Sequence, residues 1–172
     1  MSDNKETLGK LFEYAIELEK AAETLYNQMA KMFAHHPDVA KFWSHYANEE
    51  KGHASFLERI KSGVSAERLS SPADGNMVED VKKCLILSSQ NSLSGIQNLD
   101  DAYQLATELE NSETNSIFEF IVVNFSTDEL ARSHKFLKTQ ISTHIEELER
   151  GFPSGYKSRA SRQNTTILIA DN

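Results

Sequence analysis

The sequence predicts an all-α protein, a four-helix bundle built from two repeated helical hairpins. Three observations predict this fold class. Long stretches carry apolar residues at helical spacing. Glycine and proline are scarce, with 7 Gly and 3 Pro in 172 residues, so few turns are marked. Segment 15–19 (Ala-Ile-Glu-Leu-Glu) recurs as segment 106–110 (Ala-Thr-Glu-Leu-Glu), an offset of 91 residues (110 − 19 = 91), which indicates one supersecondary unit used twice.

The first hairpin is predicted between Thr7 and about Lys61. Its first helix ends near Phe33, because segment 35–38 (His-His-Pro-Asp) interrupts the apolar stripe and proline suits only the first turn of a helix. The second helix follows directly. The inward residues of the two helices are Phe12, Ala15, Ala22, Tyr26, Met29 and Phe33, then Val39, Trp43, Tyr46, Ala47, Ala54, Leu57 and Ile60.

The second hairpin follows at the repeat offset. Its helices are predicted over residues 97–123, and from the capping cluster 126–128 (Ser-Thr-Asp) to about Arg150. A long crossover, residues 62–96, joins the hairpins and holds a loop followed by a short helix over 77–90. The inward residues of that short helix are Val78, Val81, Leu85 and Ile86. Four long helices with one long crossover have the ferritin-like topology.

The bundle accounts for residues 1–150 as one domain, a length sufficient for a substantial core. Residues 151–172 form a C-terminal tail of different composition. The tail combines basic side chains with an apolar segment of β character, residues 165–170. Two alternatives stay open for it: docking on the bundle or on a second subunit, and disorder.

The composition excludes several functions. A net charge of −8 argues against nucleic acid as the main partner, because phosphate binding needs a basic face. Cys84 is the only cysteine, which excludes an intrachain disulfide and a thiolate-rich metal site. The first residues lack the apolar core of a signal peptide, and no stretch approaches the roughly 20 apolar residues of a membrane span. We therefore expect a cytoplasmic protein that does not bind membranes.

Charged residues interrupt the apolar stripes at positions that face the predicted core. Several carboxylates buried together repel one another unless a cation balances their charge. Each glutamate and each histidine of the two hairpins lies at a similar distance from its turn, so these side chains are expected to meet near the middle of the bundle. The predicted metal ligands are Glu19, Glu50, His53, Glu110, Glu113 and His144.

Two of these assignments have alternatives. Glu49 lies four residues before His53 and is an alternative to Glu50. His134 shares the inward stripe of the fourth helix, but it lies about 15 Å along that helix from His144, and the repeat favours His144. Oxygen-rich sites with one or two imidazoles suit one or two iron ions, or manganese, better than zinc.

These residues resemble the ferritin-like di-iron carboxylate superfamily, and the rubrerythrin family most closely. Segment 15–26 is similar to a rubrerythrin first helix, with its metal glutamate seven residues before Tyr26. Segment 48–54 is similar to the Glu-x-x-His second helix, and segment 110–113 to the third helix with its second glutamate. The resemblance covers roughly residues 5–62 and 97–150.

The fourth helix departs from the family, which carries Glu-x-x-His there. The register that ends at His144 has Ile141 in place of the glutamate, and the register that ends at His134 has Ala131. The carboxylate that would bridge two metal ions is therefore missing. Glu113 is a candidate to compensate for it; otherwise the second metal binds weakly or one metal binds alone.

The resemblance implies a non-haem iron protein that reduces peroxide, or that oxidises Fe(II) with peroxide or oxygen, and that forms a homodimer. A single cysteine cannot make the four-thiolate rubredoxin site of typical rubrerythrins, so electrons must come from another protein. Tyr26 would lie beside the metal site. The alternative is a non-enzymatic helical bundle whose degenerate site holds a structural metal ion or none. An iron-storage cage is less favoured, because nothing in the sequence specifies assembly beyond a dimer.

Overall fold

The computed structural model describes residues 6–125 and 146–152, without the side chains of residues 113–120, 122 and 123. Residues 146–151 are helical, and the described part of the chain contains no strand, only an isolated bridge between Thr7 and Pro72. The all-α prediction is therefore confirmed. The remaining elements are α1 (Leu8–Met32), α2 (Pro37–Gly63), α3 (Ala66–Leu69), α4 (Gly75–Leu87), a 3-10 helix (Gln90–Gly95) and α5 (Leu99–Asn124).

Helices α1 and α5 begin at equivalent positions of the sequence repeat. Leu8 and Leu99 are their first residues, and both helices are capped by the preceding side chain. The Thr7 hydroxyl accepts a hydrogen bond from the backbone N–H of Lys10, and the Asn98 side chain accepts one from that of Asp101. Five repeat pairs are buried on both helices: Leu11/Ala102, Phe12/Tyr103, Ala15/Ala106, Leu18/Leu109 and Glu19/Glu110.

The core lies between the long helices. Helix α1 packs along α2, and α4 packs against both α1 and α5. Helical residues 146–151 are held to the same core by Phe152, whose ring centroid lies 5.3 Å from that of Phe42 on α2 and 4.7 Å from that of Tyr103 on α5. None of the described helices is both long and apolar enough to cross a bilayer.

The crossover holds more structure than a loop and one helix. The predicted loop contains α3, which is fixed to the end of α5 by Arg68. The Arg68 guanidinium donates a hydrogen bond to the backbone carbonyl of Asn124 and lies 4.5 Å from the ring centroid of Phe125. The residues that follow the predicted short helix form a 3-10 helix, Gln90–Gly95. The crossover therefore ties the two hairpins together at one end of the bundle.

The inward placement of Ile86 is wrong. This side chain is 73% exposed, whereas Val78, Val81 and Cys84 of the same helix are buried. Residues 78, 81 and 84 recur every three positions and define one face of α4, and a position two residues after Cys84 points away from that face. A short helix offers too few periods for its inward face to be read from sequence.

Asp74 should contribute to stability as the N-cap of α4. Its carboxylate accepts hydrogen bonds from the backbone N–H groups of Asn76 at 2.9 Å and Met77 at 3.1 Å. We expect Asp74→Ala to lower the free energy of unfolding by about 1 kcal/mol, because these donors lose their acceptor. Urea unfolding of the metal-free protein measures the effect. Asp74→Asn retains the acceptor, so an equal loss in that variant would contradict the capping role.

Candidate metal centre

Glu19 supplies the first buried carboxylate. It lies on α1 between Ala15 and Ala22, on the stripe that faces the other helices. Side chains three and four residues apart share one helix face, so the apolar neighbours that enter the core carry this glutamate into it. Its exposed fraction is 0%. A carboxylate in this position has left bulk water and requires compensation from its surroundings.

Helix α2 supplies a carboxylate and an imidazole from one face. Glu50 and His53 are three residues apart and are 1% and 4% exposed. Nδ1 of His53 lies 2.9 Å from Oε2 of Glu50 and 3.4 Å from Oε2 of Glu19. The imidazole nitrogen thus lies beside carboxylates from two helices, in the interior of the first hairpin.

These three residues have the geometry of a cation site. One ligand atom from each of Glu19, Glu50 and His53 lies within 4.8 Å of the other two. Two carboxylate oxygens and one imidazole nitrogen are hard and borderline donors, a set that suits iron or manganese. A protonated imidazole carries at most one positive charge, whereas a divalent cation would balance both carboxylates. The donor chemistry therefore fits iron.

Glu110 is held by a hydrogen bond between the two hairpins. It lies on α5, is 1% exposed, and its Oε1 accepts a hydrogen bond from the Tyr26 hydroxyl of α1. This contact joins the glutamate of the second hairpin to a tyrosine of the first hairpin, 84 residues earlier. Tyr26, expected beside the metal site, is thus a direct neighbour of a predicted ligand. Glu110 is not part of the group of three within 4.8 Å.

Tyr46 lies among carboxylates on the same side of the bundle. Burial raises the pKa of its phenol, and the negative charges of Glu110, Glu49, Glu147 and Glu50 raise it further. The phenol therefore stays protonated at neutral pH. The phenol thus lies within the electrostatic reach of buried carboxylates from both α2 and α5.

The structure brings together part of the predicted ligand set. It groups Glu19, Glu50 and His53 and buries Glu110, but the Glu113 side chain and residue His144 lie outside the described residues, as do His134 and Ile141. The six ligand roles therefore stay predictions.

The geometry favours Glu50 over Glu49 as the candidate metal ligand on α2. A carboxylate oxygen of Glu49 lies 3.5 Å from Nε2 of His45, an exposed histidine, and Glu49 does not join the buried group. Glu50 contacts His53 in the interior. Neighbouring positions on a helix differ by about 100° in direction, which is enough to send one glutamate into the core and the other toward the surface.

Sequence reasoning assigned Trp43 and Tyr46 to the core alone and missed their closeness to the site. The ring of Tyr26 stacks on Trp43, with centroids 5.8 Å apart and an interplanar angle of 5°. Tyr26 also meets Tyr46 edge to face at 5.7 Å. One signal was available for Tyr46, which precedes Glu50 by four residues and His53 by seven and therefore shares their helix face.

Comparison with protein families gives a match to the rubrerythrin family over residues 10–139. This match covers most of the chain, from the first turn of α1 to beyond α5. It includes every predicted ligand except His144. The comparisons with curated proteins and with solved structures give no match.

Proposed function

The chain belongs to the rubrerythrin family, and on this premise we propose that its buried glutamates and histidine hold iron for the reduction of peroxide or the oxidation of Fe(II). The observation that carries this proposal is the buried group Glu19, Glu50 and His53, with ligand atoms within 4.8 Å of one another. Glu110 would add a fourth ligand, and Glu113 and His144 would complete the set of six that the sequence predicts. Manganese and zinc are alternative occupants.

The residues around the site would bind the iron ion, position its ligands and supply hydrogen bonds for redox chemistry. Bound iron would supply electrons to a peroxide, whose O–O bond breaks as two electrons and two protons are taken up. His53 would bind through Nδ1, the nitrogen nearest the carboxylates. The Tyr26 hydroxyl holds Glu110 in position, and the phenol of Tyr46 stays protonated because burial raises its pKa, so it is a neutral hydrogen-bond donor. The buried rings of Tyr26 and Trp43 surround this side of Glu110 with apolar groups.

Metal analysis tests the proposal directly. We expect purified protein, loaded anaerobically with Fe(II) and desalted, to retain at least one iron ion per chain. Retention below about half an equivalent would contradict the proposed iron site, since a site built from these ligands should survive desalting. Stopped-flow mixing with hydrogen peroxide then measures whether the bound Fe(II) is oxidised.

Replacing His144 tests the assignment made from the repeat. We expect His144→Ala to weaken iron binding at least about tenfold, since it removes a proposed ligand. His134→Ala is the matched control on the same predicted helix and should bind iron as the unmodified chain does. Competition titration with a chromogenic chelator measures both affinities. If His134→Ala is the weaker binder, the offset of 91 residues misassigns the ligand of the second hairpin (144 − 53 = 91).

Ile141 supports a second candidate function, a helical bundle whose site is structural or vestigial. An isoleucine in place of the bridging glutamate removes one of the charges that hold two metal ions close together. Under this alternative, peroxide leaves bound Fe(II) unoxidised and no near-ultraviolet oxo-bridge band forms. The external electron donor, the homodimer and the cytoplasmic location stay predictions, and both alternatives for residues 151–172, docking and disorder, stay open.

A further inference from the structure

Three redox-active aromatic side chains, Tyr26, Trp43 and Tyr46, lead from a buried carboxylate to a surface cleft. We propose that this aromatic relay carries single electrons between the metal site and an external one-electron donor. The inference rests on the proposed function, because it requires a redox-active metal beside Glu110. Tyrosine and tryptophan are the aromatic side chains that give up one electron most readily, whereas phenylalanine does not.

The inner end of the relay is Tyr26. Its hydroxyl donates a hydrogen bond to Glu110, so the phenol proton already has an acceptor in contact. Loss of an electron makes a phenol strongly acidic, and a bonded carboxylate lets the proton move without a separate step. The buried Tyr26 ring is thus coupled to a predicted iron ligand through one hydrogen bond.

Two further rings contact Tyr26. The Trp43 indole is parallel to it at 5.8 Å, and the Tyr46 ring meets it edge to face at 5.7 Å. Both side chains are buried. Among the described residues, the indole N–H of Trp43 has no hydrogen-bond acceptor. Trp43 is therefore a side branch of the relay, and an oxidised Trp43 would regain its electron from Tyr26, the ring on which it stacks.

The outer end of the relay is Tyr46. It lines a cleft of about 660 Å³ between α2 and helical residues 146–151, together with His45 and Glu49. The imidazole of His45, which is largely exposed, lies 6.1 Å from the Tyr46 ring centroid. A reductant that enters the cleft therefore reaches a buried phenol one ring contact from Tyr26.

The transfers balance in electrons and protons when the site holds one iron ion, as the group Glu19, Glu50 and His53 would. Peroxide takes up two electrons and two protons, and bound Fe(II) would supply only one of the electrons. Tyr26 would supply the second electron and give its phenol proton to Glu110. Tyr46 then reduces the Tyr26 radical and releases its own phenol proton to the cleft, while Glu110 returns the proton to Tyr26. An external one-electron donor reduces the Tyr46 radical, which regains a proton from solvent, and a second donor electron returns the iron to Fe(II).

Freeze-quench electron paramagnetic resonance tests the relay. Protein loaded with one Fe(II) per chain is mixed with hydrogen peroxide without reductant, and the organic radical is counted with ordinary and with ring-deuterated tyrosine. We expect a tyrosine radical that Tyr26→Phe lowers at least about tenfold. Ascorbate added after the radical forms should remove it at least about tenfold more slowly in Tyr46→Phe than in the unmodified chain. Tyr14→Phe is the matched control, since Tyr14 is hydrogen-bonded to Glu6, apart from the three relay residues.

Iron content and peroxide consumption are measured in the same samples. If iron binds and peroxide is consumed but no radical forms, or the radical is unchanged in Tyr26→Phe and Tyr46→Phe, the relay is overturned and the proposed function stands. If iron does not bind, the proposed function fails and the relay fails with it. Trp43→Phe adds a separate check, because Trp43 is the only tryptophan and any indole radical must disappear in that variant.

Discussion

Glu50→Gln should abolish tight iron binding and raise the melting temperature of the metal-free protein. A neutral amide oxygen binds Fe(II) much more weakly than an ionised carboxylate oxygen, so we expect the affinity for Fe(II) to fall by more than about 100-fold, above the range of about 10- to 100-fold for losing a supporting residue. Without metal, Glu19, Glu50 and Glu110 bring three carboxylates into the core. Removal of one negative charge lowers both repulsion and the cost of desolvation, and we expect the melting temperature to rise by about 2–4 °C.

Metal titration and thermal unfolding, followed by circular dichroism, measure both effects on the same samples. Saturating Fe(II), at about 100 times the dissociation constant of the unmodified chain, should stabilise that chain by about 2.7 kcal/mol and Glu50→Gln by no more than about 0.4 kcal/mol. Glu49→Gln is the matched control, one residue earlier on the same helix and outside the buried group. Loss of iron binding in Glu49→Gln, with binding retained in Glu50→Gln, would reverse the assignment.

The repeat made the long helices of the bundle predictable. Helices α1 and α5 start at Leu8 and Leu99, the pair that the repeat aligns, because the same capping chemistry and the same apolar stripe recur in both. The predicted ends lie within two residues of the observed ones. Long helices give many periods from which an inward face can be assigned, and that is why the buried positions of Glu19 and Glu110 could be predicted.

Features that depend on contacts between helices could not be predicted in the same way. Ile86 belongs to a helix of 13 residues, too short for its inward face to be unambiguous. The bond from Tyr26 to Glu110 joins residues 84 positions apart. Its existence depends on how α1 and α5 are rotated about their axes, which the apolar stripes fix only to within a residue. The Tyr26–Trp43 stack has the same origin.

The described part of the site belongs mainly to the first hairpin. Glu19, Glu50 and His53 all come from α1 and α2, and only Glu110 comes from the second hairpin. Substitutions in α1 or α2 should therefore affect metal binding through ligand geometry. Substitutions that loosen the second hairpin should act through Glu110 and its hydrogen bond from Tyr26. Measuring both metal affinity and the stability of the metal-free protein distinguishes the two effects. Substitutions that alter ligand geometry should lower the affinity alone, whereas substitutions that loosen the second hairpin should lower both quantities.

Phe152→Ala should destabilise the metal-free protein by about 3–5 kcal/mol, the range expected for removal of a fully buried aromatic ring. The Phe152 ring is 1% exposed and packs against Phe42, Trp43 and Tyr103. It therefore connects helical residues 146–151 to both hairpins. Urea unfolding of the metal-free protein measures the loss. Phe152→Leu refills most of the space and should recover more than half of the lost free energy.

Ile86→Ala is the control for removing a large apolar side chain. Because Ile86 is 73% exposed, its truncation should change the free energy of unfolding by no more than about 0.5 kcal/mol. Equal losses in Phe152→Ala and Ile86→Ala would mean that Phe152 does not join helical residues 146–151 to the core.

Phe152 also borders Trp43 and Tyr103, so a cavity at this position loosens α2 and α5 together. Iron affinity should consequently fall in Phe152→Ala even though every proposed ligand is retained, because α2 carries Glu50 and α5 carries Glu110.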